Sequence, residues 1–293
     1  MQIKTVGLMT PGDMGQAVAM QIKSKGFKVC TALDNRSERS RAMAREAGLT
    51  DLGTIQQLIG ECDVVLSVMN PGAAVDFARE AADALRATKR KTLVADCNAV
   101  APDTAHEIAG IIEAAGGRFV DGGIIGPPPR DKKTHLYVSG PGASDLEALS
   151  GPQLIVQTVS ERVGDASALK MCYGALNKGT QALWLDVLIA AQRLGVDALL
   201  EEQVRQSRAD MYDWALKQFP IMPAKAYRWV PEMLEISKTL GSAGITPKIF
   251  QGAAEVFDFV AGTPLGKETP ETREKGRTGK DVVRTLAQTK KKN

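Results

Sequence analysis

Short apolar runs alternate with longer helical stretches through the first half of the chain, and this alternation limits the possible folds more than any other feature. Nearly continuous apolar strands separated by helices are typical of a parallel sheet that is covered on both faces. The predicted strands are Ile3–Leu8, Phe27–Leu33, Asp63–Val68, Lys91–Asp96 and Phe119–Gly122, and Leu136–Ser139 and Leu154–Gln157 extend the sheet. The predicted helices between them are Gly12–Lys25, Ser37–Ala47, Ala73–Leu85 and Pro102–Ala115. We therefore predict an α/β fold with a doubly wound parallel sheet.

The pattern changes near residue 164, after which helical periodicity dominates. The predicted helices are Ser167–Leu194, Ala198–Lys217, Pro231–Ser242 and Lys248–Val260. A chain of 293 residues is about twice the usual ~150 per domain. We predict an α/β domain over residues 1–160 and an all-α domain over residues 161–293, with the first long helix expected to span both.

The formal charge of +3 is a property of the C-terminal segment. Residues 267–293 hold nine Lys or Arg against four Asp or Glu, so the remainder is slightly acidic. We interpret the segment, which ends in Lys290-Lys291-Lys292, as a solvated terminus rather than a nucleic-acid arm. The low aromatic content of 5% also argues against a base-stacking platform. No nucleic-acid partner is expected.

The four cysteines are scattered, and the chain has only two histidines, so no metal site is expected. Free cysteines are typical of a reducing cytosol. The N-terminus is strand-like and lacks a secretory leader, and no run approaches the ~18 apolar residues of a membrane span. These features predict a cytoplasmic protein without a membrane segment.

A glycine-rich turn directly after the first predicted strand indicates a dinucleotide site. In the GxGxxG pattern, glycines let backbone amides approach a pyrophosphate at a helix N-terminus. Here a threonine replaces the first glycine, which leaves TxGxxG, and a purely structural turn is the alternative. The predicted cofactor-binding residues of this turn are Thr10, Pro11, Gly12, Asp13, Met14 and Gly15.

The end of the second strand bears on the choice between NAD and NADP. An acidic residue about 20 positions after the glycines would hold the ribose hydroxyls of NAD. Counted from Gly15, that position is Asn35, followed by Arg36 and Ser37. A guanidinium can pair with a 2′-phosphate, so we predict NADP as the cofactor. Asp34, one residue earlier, keeps NAD open as the alternative.

Four further segments resemble the β-hydroxyacid dehydrogenase superfamily, which includes the 6-phosphogluconate dehydrogenases. The segments are Leu66-Ser67-Val68-Met69-Asn70-Pro71, Asp96-Cys97-Asn98-Ala99, Asp121-Gly122-Gly123-Ile124-Ile125-Gly126-Pro127-Pro128 and Ala166-Ser167-Ala168-Leu169-Lys170-Met171. The chain is most similar to a little-characterised branch whose helical C-terminal domain has no assigned substrate. The resemblance implies a Rossmann-like first domain, an all-α second domain and a homodimer formed through the second domain. The apolar side chains expected at that interface include Trp184, Leu185, Val187, Leu188 and Leu194.

The resemblance also implies a catalytic residue, because Lys170 matches the lysine of the family's GxGxxxK motif. A lysine ammonium can protonate a carbonyl oxygen as hydride arrives, or accept a hydroxyl proton in reverse. The asparagine that the family usually has four residues later is Gly174 here. Asn177, seven residues after Lys170, would share its face on an α-helix and is a second catalytic candidate, although it could equally be an ordinary polar residue.

The remaining candidates come from the other segments. Cofactor contacts are expected at Val68, Met69, Asn70 and Asn98, and substrate contacts at Gly123, Ile124, Ile125, Gly126, Arg228 and Glu232. Better-known members carry Ser-Gly-Gly where this chain has Ile125-Gly126-Pro127, which argues for a substrate other than 3-hydroxyisobutyrate or 6-phosphogluconate. Arg130, Lys132 and Lys133 follow, either as a solvated loop or as contacts for an anionic substrate.

Together these features predict an NADP(H)-dependent oxidoreductase acting on a small hydroxy acid or a related alcohol or carbonyl. An imine reductase shares the architecture but typically has Asp or Tyr in place of Lys170. A non-catalytic NADP(H)-binding sensor is the other alternative, because Thr10 and Gly174 depart from the family pattern and the serine of the Ser-Gly-Gly loop is missing.

Overall fold

The computed structural model describes residues 2–269 and 271–289, and its first part is built on one eight-stranded sheet. The strands are β1 (Thr5–Met9), β2 (Lys28–Thr31), β3 (Thr50–Asp51), β4 (Val64–Ser67), β5 (Leu93–Asp96), β6 (Arg118–Ile125), β7 (Thr134–Ser139) and β8 (Leu154–Ser160). Their order across the sheet is β3-β2-β1-β4-β5-β6-β7-β8. The prediction of an α/β fold with a doubly wound sheet is confirmed.

The first six strands are parallel, but β7 is antiparallel to β6, and β8 is parallel to β7. A parallel return would need a crossover of about a dozen residues or more, and the connection over residues 126–133 is too short for one. The expectation of a parallel sheet is therefore wrong for the last two strands. The sequence pattern also missed β3, which has two exposed residues and no apolar run.

Helices cover both faces of the sheet, so the core has two layers. These helices are α1 (Asp13–Ser24), α2 (Glu38–Glu46), α3 (Ile55–Glu61), α4 (Ala74–Thr88) and α5 (Pro102–Ala114). Val18 and Ile22 of α1 lie in one apolar cluster, and Phe77 and Ile108 of α4 and α5 lie in the other. Helix α3 was missed, although its Thr54-to-Gln57 capping box is a sequence signal for a helix start.

Helices dominate the rest of the chain. They are α6 (Asp165–Gly174), a π-helical turn (Ala175–Gly179), α7 (Thr180–Leu194), α8 (Asp197–Gln218), α9 (Ala226–Ser242), α10 (Lys248–Ala261) and α11 (Gly279–Gln288). The chain divides into two compact units between Met171 and Cys172, within α6. The predicted single helix over Ser167–Leu194 is thus interrupted by a π-turn, and α8 is kinked at Arg208. The predicted solvated lysines, Lys290-Lys291-Lys292, lie outside the described residues.

No helix within the described ranges is both long enough and apolar enough to cross a membrane.

The second unit carries large apolar side chains on its surface. Leu176, Leu183 and Leu194 are 76%, 64% and 76% exposed. Leu185 and Leu188 were also expected at the surface, but they are buried, so that part of the expectation is wrong. A cluster of exposed apolar side chains marks an association surface in a soluble protein. We therefore propose a homodimer that covers the exposed leucines.

Light scattering should give a mass of about twice the 31.3 kDa chain at micromolar concentration. Leu183→Glu should shift the population toward the monomer, because a carboxylate on this surface opposes its burial. Val159→Glu, at a 41% exposed position on β8, is the matched control and should leave the dimer intact. A wild-type mass near that of one chain would contradict the proposal.

Candidate active site

The glycine-rich turn after β1 keeps its shape despite the threonine at its first glycine position. The Thr10 N–H donates to Val68 O at 2.9 Å, and the Gly12 N–H donates to Thr10 O at 2.8 Å. A Cβ on Gly15 would collide with the Thr10 carbonyl, so this glycine is required for the close packing of α1. A Cβ on Gly12 would meet no atom within 4 Å, and no side chain caps the start of α1. The space at Gly12 is therefore open, and it adjoins the free amides at the N-terminus of α1, as the binding of a pyrophosphate requires.

The loop after β4 lies beside this turn and is held in place by Asn98. The Met69 N–H donates to Asn98 Oδ1 at 2.5 Å, and Asn98 Nδ2 donates to Ser67 Oγ at 2.8 Å and to Asp96. Asn98 is buried, and both N–H groups of its amide are used in these bonds. Its observed role is to position Val68 and Met69, and a direct contact with cofactor stays a prediction.

Asn70, the last cofactor candidate of this loop, accepts a hydrogen bond from the Gly72 N–H at 3.1 Å through its side chain. It thereby caps a short 3-10 turn over Pro71–Ala73. The structure thus brings Thr10 and Val68 into contact and holds Met69 and Asn70 beside them.

The candidate adenosine-binding residues form a turn after β2, the strand next to β1. Asn35 adopts a left-handed conformation, with φ at 59°, which asparagine tolerates better than most residues. Ser37 caps α2 by accepting a hydrogen bond from the Ser40 N–H at 3.3 Å. Arg36 is half-buried and makes no ion pair with any described residue, and Asp34 is exposed. Both a guanidinium and a carboxylate are thus present at this edge of the sheet.

A buried carboxylate on β6 fixes the start of α6. Asp121 accepts hydrogen bonds from Ser167 Oγ at 2.5 Å and from the Ser167 and Gly164 N–H groups at 2.9 and 3.1 Å. Ser139 Oγ donates to it at 3.0 Å. Burial raises the pKa of Asp121, and the hydrogen bonds from Ser167, Ser139 and Gly164 oppose that shift. Carboxylates stabilise helix N-termini, so Asp121 anchors the helix that carries Lys170.

A second buried carboxylate, Asp96, ends the neighbouring strand β5. Burial is the main cause that raises the pKa of Asp96 to about 7, and the charge of Asp121 adds to the shift. Its Oδ2 makes no hydrogen bond to any described residue. Asp96 and Asp121 are thus opposite each other in the register of β5 and β6, and the charge of Asp121 disfavours ionisation of Asp96.

Gly123 on β6 allows α6 to approach the sheet closely. A Cβ on Gly123 would lie 2.7 Å from Lys170 Cβ and 2.9 Å from Ala166 O. The structure therefore brings together Gly123, a predicted substrate residue, and Lys170, the predicted catalytic residue. Ile124, the next predicted substrate residue, has its side chain buried in the apolar core instead.

The last two substrate candidates on this segment complete the end of β6. Ile125 is half-buried, and Gly126 begins the following loop with φ at 136°.

Three candidate residues lie in the second unit. Asn177 is in the π-turn and accepts a hydrogen bond from Gln181 Nε2 at 3.0 Å. Glu232 is buried and forms an ion pair with Lys178, while Arg228 is half-buried. The expectation that Asn177 shares a face with Lys170 assumed a continuous α-helix, and the π-turn changes that register. The spacing of seven residues therefore no longer supports that expectation, and the roles of all three stay predictions.

Sequence reasoning did not assign roles to several polar residues of the first unit. Asp121, Ser139 and Ser167 join strands β6 and β7 to the start of α6, and Asp96 accepts a hydrogen bond from Asn98 at the end of β5. Their signal was a run of Asp and Ser at predicted strand ends and helix starts, which is typical of capping. No group of three or more His, Cys, Asp or Glu in the described parts of the chain could hold a metal ion.

Residues 2–158 match the family model described as the NAD binding domain of 6-phosphogluconate dehydrogenase. The chain belongs to this family. Residues 191–260 match a domain of unknown function, DUF1932. The predicted resemblance is confirmed, and the first unit is a domain that binds a nicotinamide dinucleotide.

Related proteins extend this similarity. An uncharacterised 28.5 kDa protein of Methanothermus fervidus is 27% identical over 87% of this chain and 98% of its own. A solved structure of a conserved protein of unknown function, described as similar to 3-hydroxyacid dehydrogenases, is 28% identical, covers 88% of this chain and 96% of its own, and has a TM-score of 0.63. An NADPH-dependent reductive aminase of Aspergillus oryzae is 28% identical over 48% of this chain and 46% of its own. Together with the family match, these similarities support an NAD(P)-binding oxidoreductase.

Gly123→Ala should destabilise the protein by roughly 1–3 kcal/mol, because the added methyl forces α6 away from β6. Urea unfolding monitored by circular dichroism would measure the change. Gly110→Ala is the matched control, since Gly110 lies within α5 and its Cβ would meet no atom within 4 Å. That variant should be neutral or gain up to about 1 kcal/mol. Equal effects at both positions would contradict the close-approach argument.

Proposed function

We propose that the protein is an NADP(H)-dependent oxidoreductase that acts on a small hydroxy acid or a related alcohol or carbonyl. The observation that carries the proposal is the placement of Lys170 beside Gly123, on a helix that Asp121 anchors to the same sheet as the glycine-rich turn. A proton-transferring side chain is thus mounted on a rigid element of the nucleotide-binding domain. The partner is a small molecule, and no nucleic acid or metal takes part in the proposed reaction.

The residues of the first unit have separate tasks in this mechanism. The Gly12 turn and the N-terminus of α1 bind the pyrophosphate, and Asn98 keeps Met69 beside it. When bound there, NADPH would supply the hydride that reduces a substrate carbonyl carbon. Lys170 Nζ donates a proton to the substrate oxygen in the direction of reduction and accepts it in the direction of oxidation.

Arg36 carries the proposed preference for NADP over NAD. Arg36 is half-buried, makes no ion pair with a described residue, and follows Asn35 rather than an acidic residue. A charge-assisted pair with the 2′-phosphate would favour NADPH. Asp34, two residues before Arg36, is exposed and would favour NADH, so the binding of the two cofactors is compared directly.

Arg36→Ala should weaken NADPH binding by about 10- to 150-fold and leave NADH binding nearly unchanged, because only NADPH carries the 2′-phosphate. Titration calorimetry with both cofactors would measure the two affinities. Arg90→Ala, an exposed arginine after α4, is the matched control. Tighter binding of NADH than NADPH by the wild type would instead assign the ribose contact to Asp34.

An imine reductase is the second candidate function, and one observation favours it. The reductive aminase of Aspergillus oryzae is related by sequence over about half of each chain. Lys170 argues against this candidate, since imine reductases typically carry Asp or Tyr at that position. Oxidation of NADPH with carbonyl acids, aldehydes and cyclic imines separates the two functions, and failure with every substrate would favour a non-catalytic sensor.

A cytoplasmic location is part of the same proposal. Cys30, Cys62, Cys97 and Cys172 are all free thiols, and the first three are buried. Unpaired cysteines are typical of proteins kept in a reducing compartment.

Lys170→Ala should lower turnover of a substrate found in that screen by about 10²- to 10⁴-fold, the usual contribution of a general acid or base. Cofactor affinity should change little, since Lys170 is not part of the glycine-rich turn that is proposed to bind the pyrophosphate. Lys170→Arg should not restore turnover, because a guanidinium stays protonated.

Lys217→Ala is the control, because Lys217 is exposed on α8 and has no ion pair with a described residue. Near-wild-type turnover of Lys170→Ala would show that another group transfers the proton.

A further inference from the structure

We propose that Arg130, in the loop between β6 and β7, is a pyrophosphate-binding residue of the dinucleotide site. The inference rests on the proposed use of the glycine-rich turn for cofactor binding and adds a residue that lies far from the turn in sequence. Arg130 Nη2 donates to Asp13 Oδ1 at 2.9 Å, to Asp13 O at 3.3 Å and to Gln16 Oε1 at 3.1 Å. It thereby contacts the first turn of α1, next to the open space at Gly12.

The charge of Asp13 explains why a cation is needed there. The stretch from Thr10 to Gly15 contains no Lys or Arg, and Asp13 is the first residue of α1. A carboxylate in this position suits a helix N-terminus but repels a pyrophosphate bound to the same amides. Arg130 pairs with this carboxylate and so removes the repulsion.

The guanidinium also has donors left for a ligand. All three of its hydrogen bonds use Nη2, and Nη1 and Nε make none with another described residue. The side chain is 42% exposed. A planar guanidinium can bridge two acids, with one edge on a carboxylate and another on a phosphate oxygen.

Neighbouring groups hold Arg130 in this orientation. Gln16 is buried, and its Nε2 donates to Glu46 Oε2 at 2.9 Å and to Met43 O at 3.3 Å, so its Oε1 is left to accept from Arg130. The loop contains Pro127, Pro128 and Pro129, and the Arg130 N–H donates to Pro128 O at 2.8 Å. Restricted backbone and a fixed acceptor reduce the entropy lost when the guanidinium binds an anion.

The test compares a neutral with a charged substitution. Arg130→Gln removes the charge and keeps a polar side chain, whereas Arg130→Lys keeps the charge. By titration calorimetry, Arg130→Gln should weaken NADPH and NADH by the same factor, about 10- to 150-fold, because both carry the pyrophosphate. Arg130→Lys should lose clearly less. Lys133→Ala, an exposed lysine of the same loop, is the matched control and should bind both cofactors as the wild type does.

Asp13→Asn separates charge compensation from simple loss of a structural contact. If Arg130 offsets the Asp13 carboxylate, Asp13→Asn combined with Arg130→Gln should bind both cofactors more tightly than Arg130→Gln alone. Melting temperatures of the cofactor-free variants should stay close to that of the wild type, since an exposed ion pair contributes little to stability.

Unchanged affinities in Arg130→Gln would overturn the proposal, and so would a loss confined to NADPH, which would assign Arg130 to the 2′-phosphate. Equal affinities of the Gln and Lys variants would also overturn it. Failure of the wild type to bind either cofactor is a distinct result, because it would overturn the proposed function together with this inference.

Discussion

The buried carboxylate of Asp121 is the interaction on which the arrangement of the site depends. It receives hydrogen bonds from Ser139, Gly164 and Ser167, and so joins β6 and β7 to the first turn of α6. Burying a charge is costly unless several donors satisfy it, and here the donors are two serine hydroxyls and two backbone amides at the start of α6, where amides need an acceptor. The same contacts set the axial position of α6 and therefore the height of Lys170 above the sheet.

Gly123 complements this anchor by setting the distance between helix and strand. Asp121 holds the helix end, and the missing side chain two residues later on the same strand leaves space for the Lys170 stem. Alternate residues of a strand face the same side of the sheet, which explains why the two functions occur at this spacing. Within three residues of β6, the Asp121 carboxylate thus holds the end of α6, and Gly123 leaves room for the helix to pack closely.

Much of the fold could be predicted because its signals are local. Apolar runs identified seven of the eight strands, and the glycine spacing after β1 identified the cofactor turn. The reversal at β7 could have been inferred from the short connection, but apolar patterning carries no strand direction. Asp and Ser at strand ends and helix starts are a general signal of capping, but the partners of Asp96 and Asp121 could not be predicted, since a buried carboxylate looks like any surface acid until its donors are known. Arg130 was ambiguous in sequence because its partner, Asp13, is more than a hundred residues away.

The π-turn at Ala175–Gly179 has a consequence for how this family is compared. A π-turn holds one more residue than the α-helical turn it replaces, so it acts as a single-residue insertion that the helix absorbs without a loop. Beyond Ala175, counting from Lys170 no longer identifies equivalent positions in relatives whose helix is regular. An alignment with one gap inside this helix would pair different residues from those that an ungapped alignment pairs. Motif searches that extend past the lysine should therefore allow a variable spacing there.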